Sequence, residues 1–135
     1  MKGRNVLVTG ATQGIGLAIA LRAAREGAEA IVIAGRDPAK APKAVEAVES
    51  AGAACAFIAA DLEDAHAPGA IFDFALKRFG RVDALVNSAG ATDRGALVDA
   101  DLALWERLYA VNARARPFFS CSALSITCGA GARAR

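Results

Sequence analysis

The stretch Thr9-Gly10-Ala11-Thr12-Gln13-Gly14-Ile15-Gly16 decides how the rest of the chain is read. It follows a short β-type run, Asn5–Thr9 (N-V-L-V-T), and opens a segment, residues 15–26, in which Ile15, Ile19 and Ala23 recur at helical spacing. Glycines at such a junction permit a tight turn. They also let backbone N–H groups and the helix N-terminus approach a pyrophosphate. The spacing is G-x-x-x-G-x-G, not G-x-G-x-x-G. A glycine-rich turn can also serve only to pack a helix closely on a strand. Its place between a first strand and a first helix is what points to phosphate.

The same alternation continues outward from this turn. Apolar runs occupy residues 30–34 (A-I-V-I-A), 54–59 (A-C-A-F-I-A) and 82–86. Between them lie helical patterns, each closed by a glycine: Gly27, Gly52 and Gly80. Asp37-Pro38 supplies an N-cap and a first-turn proline for a helix with Ala41, Val45 and Val48 inward. Asp64 or a neighbour is expected to cap the next helix, with Ile71, Phe74, Ala75 and Phe79 inward. A last helix carries Leu102, Trp105, Leu108 and Asn112, with Trp105 and the phenylalanines expected in the core. Continuous apolar strands separated by capped helices are βαβ units. They predict an α/β fold, a doubly wound parallel sheet with helices on both faces. The rhythm is clear to about Val111. Residues 120–135 break it and are expected to form an irregular or disordered tail behind a domain of residues 1–119.

Composition narrows the function. The chain has 135 residues, 55% hydrophobic and 22% charged, which is too apolar for a disordered segment and enough for one cored domain. The net charge of +2 and an aromatic share of 6% offer neither a basic field nor a stacking platform, so no nucleic-acid partner is expected. No acidic residue follows Glu106, although Arg107, Arg114, Arg116, Arg133 and Arg135 do. The uncharged run of residues 5–21 is broken by Thr, Gln and three glycines, so no membrane span is expected either. Cys55, Cys121 and Cys128 lack C-x-x-C spacing, and His66 is the single histidine. That pattern indicates neither a disulfide framework nor a metal site, and reads as a soluble cytoplasmic chain.

T-G-A-T-Q-G-I-G, together with Asn87-Ser88-Ala89-Gly90 after the fourth apolar run, resembles the short-chain dehydrogenase/reductase family. Asp61 in A-A-D-L and Asn112 in A-V-N-A also fall at that family's positions, and the resemblance runs from about Arg4 to about Phe119. It implies a Rossmann-like sheet of strand order 3-2-1-4 and the binding of a nicotinamide dinucleotide. Gly10, Gly14 and Gly16, with Gln13 and Ile15 in the same turn, would hold the pyrophosphate while Thr9 steadies the turn. Asp61 would bond the adenine edge with Leu62 stacking nearby, although Asp61 also reads as a helix cap. Asn87, Ala89 and Gly90 would line the adenosine and the nicotinamide-side ribose; Ser88 stands where the family has a second asparagine. Arg36 lies about 20 residues past the glycine turn, where an arginine can pair with the 2′-phosphate of NADP and an acid would chelate the ribose of NAD. The expected cofactor is therefore NADP(H) over NAD(H), with a solvated loop charge as the plainer reading of Arg36.

The family's chemistry exchanges a hydride between the nicotinamide and a small carbonyl or hydroxyl substrate. A Tyr-x-x-x-Lys pair and a serine exchange the proton. This sequence has one tyrosine, Tyr109, with Ala113 four residues on, and its last lysine is Lys77. Asn112 matches the family's catalytic-helix asparagine but has no relay to serve. Ser120, Ser122 and Ser125 fall too early to replace the serine. The expectation is the cofactor-binding portion of such an oxidoreductase, truncated or frame-shifted, inactive by itself and with an open sheet edge prone to dimerise or aggregate. The alternatives are a non-catalytic dinucleotide-binding module and an enzyme completed by a partner chain.

Overall fold

The computed structural model describes residues 1–116. The tail expected at 120–135, with Cys121, Cys128 and the three late serines, lies outside the described residues. In chain order the elements are β1 (Asn5–Thr9), α1 (Gly14–Arg25), β2 (Ala30–Gly35), a 3-10 turn (Pro38–Lys40), α2 (Ala41–Ser50), β3 (Ala54–Ala59), α3 (Ala67–Phe79), β4 (Ala84–Asn87), a 3-10 turn (Leu97–Asp99) and α4 (Leu102–Tyr109). A π-helical turn, Ala110–Arg114, continues α4. The four strands form one parallel sheet in the order β3-β2-β1-β4, as the sequence predicts. Gly27, Gly52 and Gly80 all take the positive φ that ends a helix before a strand.

Two cores flank the sheet, because side chains alternate along each strand. Val6, Val8, Ile31 and Ile33 face α1 and α2, meeting Ala20, Ala23, Ala24, Ala44 and Val48. Leu7, Val32 and Ala34 face the other way, onto Ala67, Ile71, Phe72 and Ala75 of α3 and onto Val111 and Ala115. Each crossover returns to the sheet on the side its handedness allows, so strand order reverses at β1 and a crevice opens there.

Three expectations need correction. The inward stripe of α1 is Gly16, Ala20, Ala23 and Ala24, while Ile15 is 77% exposed. The approach of Gly16 to Gly10 fixes the rotation of the helix, and the isoleucines follow. In the last helix Val111 and Ala115 join the core and Leu104 and Leu108 are half-buried, whereas Trp105 is 66% exposed, with Leu102 and Tyr109 also outward. No residue of α4 itself is buried; burial begins at Ala110 and Val111, in the π-helical turn that follows it. Finally, the fourth strand occupies residues 84–87 rather than 82–86.

Its start is displaced by a polar clamp at the amino ends of the strands. Asp83 Oδ2 accepts from the Asn5 backbone N–H at 2.7 Å and from Arg81 Nε at 3.0 Å, while the Asp83 N–H donates to Asn5 O at 2.8 Å. Arg81 also donates to Gly3 O and Glu29 Oε2, and Asn5 Nδ2 bonds the Phe79 carbonyl at the end of α3. The Asn5 N–H, then Arg81, hold the Asp83 carboxyl below its ordinary value of 3.8. A lowered carboxylate pKa stabilises the fold above the unfolded value, and that stability is lost as pH falls through the folded value. Asp83→Asn is therefore expected to destabilise at about pH 7, with the difference from the parent shrinking only as the pH falls from about 4 through the lowered folded value. Urea unfolding at about pH 7 and across the range below about pH 4 checks this, and a penalty independent of pH would contradict it.

Candidate functional site

A cleft of about 390 Å³ opens at the carboxyl ends of the strands, where β1 lies between β2 and β4. Its floor is the glycine turn. A Cβ on Gly16 would sit 2.4 Å from Gly10 O, and one on Gly10 would sit 2.7 Å from Ala89 Cα. Only bare backbone lets the end of β1, the first turn of α1 and the turn after β4 meet this closely. Gly14, at φ +60°, has nothing within 4 Å of its Cβ position, so this stretch of backbone faces open cleft. Gly10 N and Ala11 N both donate to Ala34 O, which ties the turn to β2.

Gln13 stands at the N-cap of α1 in extended backbone without a side-chain cap, and the first turn holds no acid. The first N–H groups of a twelve-residue helix thus remain available at the cleft. Aligned peptide dipoles favour negative charge there. This arrangement suits a pyrophosphate.

The remaining walls come from the other strand ends. Thr9 Oγ1 accepts from Ala89 N at 3.2 Å, holding the turn after β4 against β1. Arg36 follows β2 with its side chain 61% exposed, its NH1 3.9 Å from Glu63 Oε1. After β3, Asp61 Oδ1 accepts from Glu63 N, folding the chain into an Asx-type turn. Asp61 does not cap α3; the N-cap there is His66, whose N–H donates to the Asp64 side chain at 2.8 Å. Leu62 is buried in the second core while also lining the cleft, so it anchors the rim that carries Asp61.

Of the residues singled out in the sequence, Thr9, Gly10, Gln13, Gly14, Ile15, Gly16, Arg36, Asp61, Leu62, Ala89 and Gly90 all line this cleft. Asn87 and Asn112 do not; Ser88 and Val111 occupy the wall beside them. Asn87 ends β4, paired with Thr9. Asn112 clamps the backbone of Ala91: its Nδ2 donates to Ala91 O at 2.7 Å and its Oδ1 accepts from Ala91 N at 3.0 Å. Tyr109 is 55% exposed.

The sequence reading passed over Thr12, Lys40 and Ala91, which also line the cleft. Lys40 Nζ donates to Gln13 Oε1 at 2.8 Å across 27 residues of chain, a pairing no local pattern signals. Among the described residues no group of three or more His, Cys, Asp and Glu side chains could hold a metal ion, and no helix is long and apolar enough to cross a membrane. Cys55 is buried, and burial pushes its thiol up to about 12, which makes it a poor nucleophile.

Comparison with known proteins places this geometry. The family described as short chain dehydrogenase matches residues 4–128. The short-chain dehydrogenase/reductase FrzI of Cladobotryum sp is 34% identical over 87% of this chain and 46% of that protein. A metagenomic short-chain oxidoreductase solved with NADP superposes with a TM-score of 0.87 at 33% identity, over 96% of this chain and 59% of that one. The NADH-dependent reductase A1-R′ solved with NAD gives a TM-score of 0.83 at 30% identity, over 96% and 55%. The chain spans about half the length of the curated relatives it matches. With the family matched from the first strand through the helix of Asn112, the chain belongs to the short-chain dehydrogenases/reductases.

Proposed function

We propose that this chain binds NADP(H) in preference to NAD(H), as the dinucleotide-binding portion of an oxidoreductase acting on a small carbonyl or hydroxyl substrate. The observation that carries the reading is the uncapped N-terminus of α1 over bare glycine backbone, with Arg36 on the wall of the same cleft. Gly10, Gly14 and Gly16 receive the pyrophosphate, and Asp61 and Leu62 take the adenine end. Ala89 and Gly90 line the path toward the nicotinamide ribose. The bound nicotinamide supplies the hydride; the residues of this chain bind and orient it.

The 135 residues contain neither a Tyr-x-x-x-Lys pair nor a lysine after Lys77, so binding without turnover is the expected behaviour of this chain by itself. Relatives solved with NAD and with NADP support a nicotinamide cofactor of either kind; the guanidinium of Arg36 favours the phosphorylated one. The setting proposed is cytoplasmic. Among the described residues β4 pairs with β1 alone, and self-association through that strand is part of the proposal.

Titration by NADPH and NADH fluorescence tests this reading. NADPH is expected to bind about tenfold or more tightly than NADH, the worth of one charge-assisted contact. Equal affinities would remove the preference, and no binding of either would remove the dinucleotide site. Oxidation of NADPH with a ketone by the purified chain would show that it is catalytic unaided.

A further inference from the structure

The cleft carries a second cation that nothing in the glycine turn announces. Lys40 ends the 3-10 turn Pro38–Lys40, which Asp37 caps by accepting from Ala39 N at 2.9 Å. From there its ammonium reaches Gln13 Oε1 at 2.8 Å, on the residue that begins α1. Gln13 thus leaves the helix terminus uncapped and holds a charged group beside it.

The charges that face Lys40 and Arg36 are weakly engaged. Lys40 Nζ lies 3.8 Å from Asp37 Oδ2, and Arg36 NH1 lies 3.9 Å from Glu63 Oε1. All four side chains are 40% exposed or more. Exposed pairs at such separations contribute little and exchange readily. A phosphate dianion bonding both cations would displace both carboxylates. Arginine offers a planar fork and lysine a mobile point charge, a complementary set for one phosphate group.

We propose that Lys40, positioned by the Gln13 amide, is a specificity-determining residue that acts with Arg36 on the 2′-phosphate of the dinucleotide. The proposal rests on the NADP(H) reading and adds to it the second charge and the side chain that delivers it. Gln13 serves here as a positioning residue.

Lys40→Met, Lys40→Arg and Arg36→Met, each titrated with NADPH and NADH, test the assignment. Lys40→Met is expected to weaken NADPH about tenfold and to leave NADH within about twofold, since a charge-assisted bond to phosphate is lost while the other contacts of Lys40, with Gln13 and Asp37, are exposed. Lys40→Arg is expected to retain most of the NADPH affinity, and added salt should narrow the gap between parent and Lys40→Met. Lys40 is half exposed, so the variants fold. If the parent binds both dinucleotides equally, the NADP(H) reading falls and this proposal with it. If the parent discriminates, Arg36→Met loses the discrimination and Lys40→Met keeps it, then Lys40 alone is overturned. Equal weakening of NADPH and NADH by Lys40→Met would also overturn it, by marking a general structural role.

Discussion

Gly16→Ala is expected to destabilise the fold by about 3 kcal/mol and to abolish measurable NADPH binding. The new methyl would lie 2.4 Å from Gly10 O and 2.8 Å from Gly10 C, both backbone atoms that cannot turn aside as a side chain would. Relief requires α1 to lift from β1. That movement opens the layer of Ala20, Ala23 and Ala24 against Val6 and Val8, and it carries the helix N-terminus away from the cleft. Gly14→Ala separates the two consequences. Its methyl meets nothing within 4 Å, and its cost is the positive φ of +60°, about 1 kcal/mol for a residue other than glycine. That variant should stay folded and still bind NADPH at least about tenfold more weakly, because the methyl occupies the face a pyrophosphate approaches. Urea unfolding and NADPH titration of both variants check the pair. A Gly16→Ala protein with parental stability and affinity would contradict the argument.

The contact that makes Gly16 indispensable is also why part of the molecule is hard to read from sequence. Strands β1 to β3 announce themselves as unbroken apolar runs, and the glycines after α1, α2 and α3 mark their ends, so a parallel α/β sheet follows, while its strand order comes from the family resemblance that the glycine turn carries. Helix rotation does not follow in the same way. The buried face of α1 is built from Gly and Ala, which have little hydrophobic signal, while the larger Ile15 points outward. Trp105 misleads for a related reason: it lies on an apolar stripe, but α4 buries none of its residues and the core takes Val111 and Ala115 after it. Residues 82–86 look like a strand, yet Asp83 is held by Asn5 and Arg81, so pairing begins at Ala84. At the site the glycines and Arg36 are legible because each meets a local requirement. Lys40 is not, since its partner Gln13 is 27 residues away.

Asn112→Ala is expected to destabilise the chain by about 2–3 kcal/mol and to weaken NADPH binding with it. The side chain makes two hydrogen bonds to the backbone of one residue, accepting from Ala91 N and donating to Ala91 O. Removing it leaves a donor and an acceptor unpaired in a partly buried turn. The π-helical turn Ala110–Arg114 is what aims the amide there. One extra residue in the turn sets Asn112 toward Ala91 while Val111 and Ala115 stay in the core. Gly90 leaves room for the approach, its Cβ position being 3.3 Å from Asn112 Oδ1. Ser88 to Ala91 wall the cleft, so a loosened turn degrades the site even though Asn112 itself does not line it. Asn112→Asp makes the test sharper. A carboxylate keeps the acceptor for Ala91 N but sets an oxygen against Ala91 O, where the amide donated at 2.7 Å. At about pH 7 this variant should be at least as unstable as Asn112→Ala. Its carboxyl pKa is raised by the facing carbonyl, so stability returns as the pH falls toward about 4 and the protonated acid can donate. Asparagine needed only for a proton relay would leave stability, dinucleotide affinity and this pH response at parental values. The bidentate hold on Ala91 predicts that all three change together.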